Sequence, residues 1–286
     1  MIGSASILVA LAAAQLPIAP GISEPLKIEL SVARTQSDVL QFDKASEPAT
    51  SSAVHTFHCE KTIEPVRGGY RVTLNPTPSP HTVAGENEPT LGTLLGYRVT
   101  YTAGDDLAPV SVYNWADIAQ DVAMGGRMDA KQAATFLLKE EQLLAYASNT
   151  SLTVGHPLIV KNSMLDLTGG PPLDTTDTLE IESVDPETNS AMLRWKREYD
   201  PASARRLAAG MLQLIAGNGV KPLSLEGFKV ERTSECRYRV DTRSKLPLTA
   251  DCVSKLAVAD PVSGMSSMHI DQWKIVQIMP VARGEK

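Results

Sequence analysis

Several things are scarce in this chain of 286 residues. Lys and Arg number 27 against 33 Asp and Glu, a formal net charge of -6. Without a basic excess there is no electrostatic footprint for nucleic acid, nor for an anionic membrane surface. No stretch beyond the first residues reaches the roughly 18 apolar residues that a membrane-spanning helix needs. Catalytic signatures are absent too. There is no Gly-x-Ser-x-Gly, Ser-x-x-Lys or His-Glu-x-x-His, and Gly217-Asn218-Gly219 is not followed by the Gly-Lys-Ser of a phosphate loop. Cysteine is limited to Cys59, Cys236 and Cys252.

Apolar residues nevertheless make up 43% of the chain and charged residues 21%, which suffices for a globular core. Ile7 to Ala14 is a short apolar run, and Ala12-x-Ala14 supplies the small residues of a signal-peptidase site, although no Lys or Arg precedes it. Residues 1–19 are expected to be a signal peptide processed near Ala14 or Ala19. Residues 20–286 then form a single α+β domain, periplasmic or secreted. An odd cysteine count in an exported chain predicts one bridge and one free thiol.

The bridge is read from register. Arg243-Ser244-Lys245 lies midway between Cys236 and Cys252. A hairpin turning there opposes the two cysteines, and pairs Tyr238 with Ala250, Val240 with Leu248 and Arg237 with Asp251. Pro247 lacks an N–H and demands an edge or a bulge. The prediction is a Cys236–Cys252 disulfide with Cys59 free.

Alternating segments predict further strands: Leu26 to Val32, then 53–59, 69–74, Gly96 to Thr102 with Val110 to Asn114, Thr178 to Val184, and Ala191 to Trp195. Segments 224–233, 235–241, 247–257 and 267–279 follow. Residues 36–52 read as a polar loop. Tyr-Arg-Val at 70–72, 97–99 and 238–240 is expected to begin a strand each time, with Tyr and Val inward. Helices are expected at 115–123, at 129–147 with an Asp129–Gln132 capping box, and at 201–216 with Asp200 as N-cap and Pro201 at N1. Few helices segregated from many strands give α+β: a large curved antiparallel sheet, half-barrel-like, packed on about three helices.

The strand–turn–Leu-Pro-Leu–strand of residues 238–248 resembles hairpins of the bacterial lipoprotein-carrier superfamily. That resemblance implies a soluble or anchored envelope protein whose curved sheet wraps helices around an apolar cavity. It carries over no site residue.

Candidate chemistry is sparse. His55, Phe57 and Cys59 share one strand face with His58 opposite, giving two ligand types and no third. Asp105-Asp106 falls in a turn, and Glu140-Glu141 lies on a helix and points to adjacent, not shared, positions. No catalytic residue, metal or cofactor is assigned, and a non-enzymatic role is the expectation. The leading reading is a binding protein of the bacterial cell envelope for an apolar ligand. Its pocket would be lined by Phe136, Leu143, Leu144, Leu207, Met211, Leu212 and Ile215. A hydrophobic small molecule or an envelope protein would be the partner. The alternatives are a hydrolase or transferase with an unrecognised site, and a structural or interaction module of an envelope assembly.

Overall fold

The computed structural model describes residues 15–18, 20–77, 93–122, 126, 128–146, 150–164, 170–216 and 225–279. Strand dominates. The strands are β1 (Gln15–Ile18), β2 (Leu26–Gln41), β3 (Ala49–Val66), β4 (Gly69–Pro76), β5 (Val99–Ala103), β6 (Pro109–Val112), β7 (Thr150–Thr153), β8 (Leu158–Met164), β9 (Leu173–Asp185), β10 (Ser190–Tyr199), β11 (Lys229–Asp241), β12 (Pro247–Ala259) and β13 (Ser266–Ile278). The helices are α1 (Trp115–Ile118), α2 (Ala130–Leu137), α3 (Lys139–Ala145) and α4 (Pro201–Ala216).

Eleven strands form one open antiparallel sheet in the order β6-β5-β4-β3-β2-β13-β12-β11-β10-β9-β8. It consists of two meanders, β2 to β6 and β8 to β13, joined where β2 pairs with β13. The chain leaves one edge at β6 and rejoins at the other edge as β8. Helices α1 to α3 lie in that connection, with β1 paired to β7 beside them. The sheet curves around α3. If it were flat, β5 and β11, six strand positions apart, would lie about 29 Å from each other. Yet Tyr101 on β5 donates to Glu141 at 2.7 Å, and Tyr238 on β11 donates to the Leu143 carbonyl at 2.7 Å. One helix of seven residues meets both.

Period-2 burial sets the inner face. Ile28, Leu30 and Val32, Val72 and Leu74, Leu193 and Trp195, and Trp273 and Ile275 are all buried, while their strand neighbours face outward. The Cys236–Cys252 disulfide is present, Cys59 is free and buried, and Tyr238–Ala250 and Arg237–Asp251 pair as expected. Val240 does not oppose Leu248. The register shifts after Arg239, and Val240 faces Pro247. A proline without an N–H cannot extend the ladder, and the bulge absorbs it.

Four further expectations are corrected. Residues 36–41 continue β2 instead of looping, and β3 begins at Ala49. Segments 224–233 and 235–241 merge into β11 from Lys229 onward. Tyr238 lies late in β11 and Tyr97 precedes β5, so only Tyr70 stands near a strand start. The predicted helix over 129–147 breaks at Leu138, whose φ of -104 and ψ of 45 are non-helical. The Asp129–Gln132 capping box forms as expected. At the break the Leu137 carbonyl accepts from the Leu94 N–H at 2.9 Å, and the Ala134 carbonyl accepts from Gln142 Nε2 at 3.2 Å. Asp200 caps α4 through the N–H groups of Ala202 and Ser203.

Candidate functional site

The break at Leu138 turns two adjacent acids into the interior. Glu140 and Glu141 are 0% and 2% exposed. Each meets a different set of strands.

Glu141 forms an ion pair with Lys61 of β3 and accepts from Tyr101. Lys61 also reaches Gln277 Oε1 at 3.4 Å, and Gln277 donates to the Pro247 carbonyl. Glu141 Oε1 has no hydrogen-bond partner. A void of about 10 Å³ lies beside it, lined by Lys61, Leu107, Leu144, Leu246 and Gln277. That is the size of one water, and a water there would satisfy the orphaned oxygen.

Glu140 accepts from Trp273 Nε1 at 3.2 Å and from Thr93 at 3.2 Å, and lies 4.0 Å from Arg34. Burial pushes its carboxyl up, opposed chiefly by Arg34. Arg34 binds Asp271 Oδ1 through Nε and Nη2 at 3.3 and 3.0 Å, and Lys139 stands 3.5 Å from Asp271 Oδ2 and over the Trp273 ring. His269 bridges Asp271 at 3.2 Å and Asp38 at 2.7 Å.

Register arranges these groups in rows across the inner face. One row runs Gln36, Asp271, Ser254, Ser234, Arg197, Asp177 from β2 to β9. The next runs Asp38, His269, Leu256, Arg232 from β2 to β11, with Arg232 5.6 Å from the ring centre of Tyr199, which pairs with Thr175. This is why β2 continues through residues that read as a loop: its inward polar side chains meet polar partners on β13. In the first row Arg197 holds Asp177 with two bonds of 2.6 Å and reaches Tyr146, which stacks on Trp195.

Beyond the polar rows lies a second, separate apolar cluster. Ala204 and Ala208 of α4 pack with Leu225 and Val230, flanked by Tyr199, Phe228, Leu256 and Val258. The larger core contains Leu143 and Leu144 of α3. Of the predicted pocket residues, Leu143, Leu144 and Leu207 are buried and Phe136 is half-buried. The side chains of Met211, Leu212 and Ile215, on the second half of α4, lie outside the described residues, as do Gly217 and His81. The sequence-predicted set is therefore divided between two regions, α2–α3 in the core and α4 at the open end.

His55, Phe57 and Cys59 point inward as predicted, opposite Arg34, Val32 and Leu30. Cys59 is buried and donates to the Leu95 carbonyl. Burial, followed by the charges of Glu141 and Glu140, pushes its thiol up to about 12, so it is no nucleophile at neutral pH. Among the described residues no group of three His, Cys, Asp or Glu is placed to hold a metal ion. The His–acid meeting that a hydrolase would require does occur, at His269. Both its ring nitrogens face carboxylates, however, and its hydrogen bond to Asp271 leads the effects that raise its pKa. A ring whose two nitrogens are both engaged by carboxylates has none free to act as a general base.

The same groups set a pH dependence. Burial alone would raise the Asp271 carboxyl, but the His269 hydrogen bond and the Lys139 and Arg34 charges outweigh it and hold it well below the ordinary range. Its stabilisation is complete above the unfolded value near 3.8 and is lost as pH falls through the depressed folded value. His269, raised, contributes stability below 6.5 that is lost as pH rises through its folded value. Urea midpoints measured against pH are expected to fall on both sides, and Asp271→Asn should abolish the acid limb assigned to this site. A variant that keeps the wild-type acid limb would remove Asp271 as its source.

No family model matches the chain, and no curated protein matches it.

Proposed function

We propose that the protein is a non-catalytic binding protein of the cell envelope that holds an apolar ligand between α4 and strands β11–β12. The supporting observation is the satellite cluster under α4, cut off from the main core by rows of polar side chains. Domains of this kind bury one contiguous core with smaller satellite clusters beside it, and concave sheet-and-helix surfaces are where apolar ligands are held. Among the described residues the α2–α3 region holds a void of about 10 Å³, the size of one water, and the α4 end is the better place for an acyl chain. Leu207, Ala204 and Ala208, all buried, are the α4 contribution. The resemblance of residues 238–248 to envelope carriers points the same way.

Export fits the Cys236–Cys252 bridge, which persists in oxidising compartments. N-terminal sequencing of protein from its native host is expected to begin at Gln15 or Pro20, after Ala14 or Ala19. An intact Met1 in the cytoplasmic fraction would overturn export.

A fluorescent fatty-acid probe tests the binding. Saturable 1:1 fluorescence enhancement, competed by unlabelled fatty acid, is expected. Enhancement no greater than with an unrelated protein would refute the reading.

A further inference from the structure

We propose that Arg232 and Lys139, backed by Arg34, form a site for an oxyanion, a carboxylate or phosphate group, at the mouth of the concave face. This goes beyond the apolar-ligand reading and stands on the charged groups alone.

The site is built from three elements. Lys139 heads α3, Arg34 comes from β2 and Arg232 from β11. Asp271 and Ser254 link them. Lys139 stands 3.5 Å from Asp271, whose neighbour across the ladder is Ser254, and Arg232 Nη2 contacts Ser254 Oγ at 3.4 Å. Ser254 is in turn bonded to Ser234 at 3.0 Å. Asp271 is thus shared by Arg34, Lys139 and His269. Among the described residues, no carboxylate lies within ion-pair distance of Arg232, whose charged head lies 5.6 Å from the Tyr199 ring centre.

In this cluster two buried guanidinium nitrogens have no acceptor among the described residues: Arg232 Nε and Arg34 Nη1, the latter 4.0 Å from Glu140. Unsatisfied buried donors of charged groups are costly and call for an acceptor. The charge count agrees. Arg34, Lys139 and Arg232 are three cations facing two carboxyls, Asp271 and Glu140. Asp38 lies further out with His269, and Arg197 is engaged by Asp177. The excess is positive.

Lys139 is pushed down to about 8 by burial first and then by Arg232, with Asp271 opposing. A bound anion would reverse that pressure. Lys139 retains a side-chain exposure of 25% and His269 29%, so the site opens to solvent. An oxyanion there would take a bond from Arg232 Nε and a second from the Lys139 ammonium.

Isothermal titration with inorganic phosphate, which has no tail, tests the site. Saturable binding is expected near neutral pH, weakened roughly tenfold or more in Arg232→Gln and in Lys139→Gln. Wild-type protein supplies a second readout that needs no variant. Between about pH 7.5 and about pH 9.5 phosphate only gains negative charge, which alone would raise affinity, whereas affinity should fall as Lys139 loses its proton. Absence of phosphate binding, wild-type affinity in either variant, or affinity flat across that pH interval would each overturn the site. Decyl phosphate separates the sources: much tighter binding than phosphate identifies an amphiphile's headgroup, and equal binding a free anion. Phosphate binding without fatty-acid binding leaves the site and removes the apolar reading, and the converse result does the opposite.

Discussion

Glu141→Ala is expected to lower the unfolding free energy by about 3–5 kcal/mol, because it strands the Lys61 ammonium in the interior. Both side chains are almost completely buried, at 3% and 2% exposure. The ammonium would keep only the distant contact to Gln277, and Tyr101 would lose its acceptor. Breaking a buried pair costs far more than replacing it. The double variant Lys61→Met/Glu141→Leu should therefore recover most of the loss, since apolar side chains of similar volume avoid desolvating either charge. Urea unfolding of the three variants decides the matter. A Glu141→Ala cost below about 1 kcal/mol would mean that water reaches Lys61.

The second large effect belongs to the disulfide. Cys236 and Cys252 are 16 residues apart, and a loop of that length constrains the unfolded chain by about 3 kcal/mol. Cys236→Ala/Cys252→Ala, compared with oxidised wild type, should lose about that much, and dithiothreitol should bring wild type to the level of the variant. Non-reducing peptide mapping should find the 236–252 link with Cys59 unlinked. A peptide joining Cys59 to either partner would contradict the register.

The disulfide was legible because a hairpin is local. Cys236, Tyr238, Ala250 and Cys252 sort onto one face by counting from the turn, and only Pro247 disturbs the count. The meander strands were legible for the same reason, through alternation such as Leu26 to Val32. The site was not. Glu140 and Glu141 look like any exposed pair on a helix, and what draws them inward sits on β2, β3 and β13, far away in sequence. The break at Leu138 follows from those partners and not from a helix-breaking residue. Gln36 and Asp38 looked like loop because an inward polar residue makes sense only when its neighbour is known, here Asp271 and His269. The one available local signal was continued alternation through Val39, outweighed by polarity. The α4 stripe was visible by period. Its separation from the main core depends on the polar row between them, which exists only after the sheet has assembled.

Binding of an acyl chain under α4 is tested most directly by isotope-filtered nuclear Overhauser spectroscopy with an isotopically labelled fatty acid. Contacts are expected from the acyl chain to the methyl groups of Val230, Leu256 and Val258, which lie in or against the satellite cluster. Contacts confined to Leu143 and Leu144 in the main core, or none at all, would contradict a ligand site at the open end of the sheet.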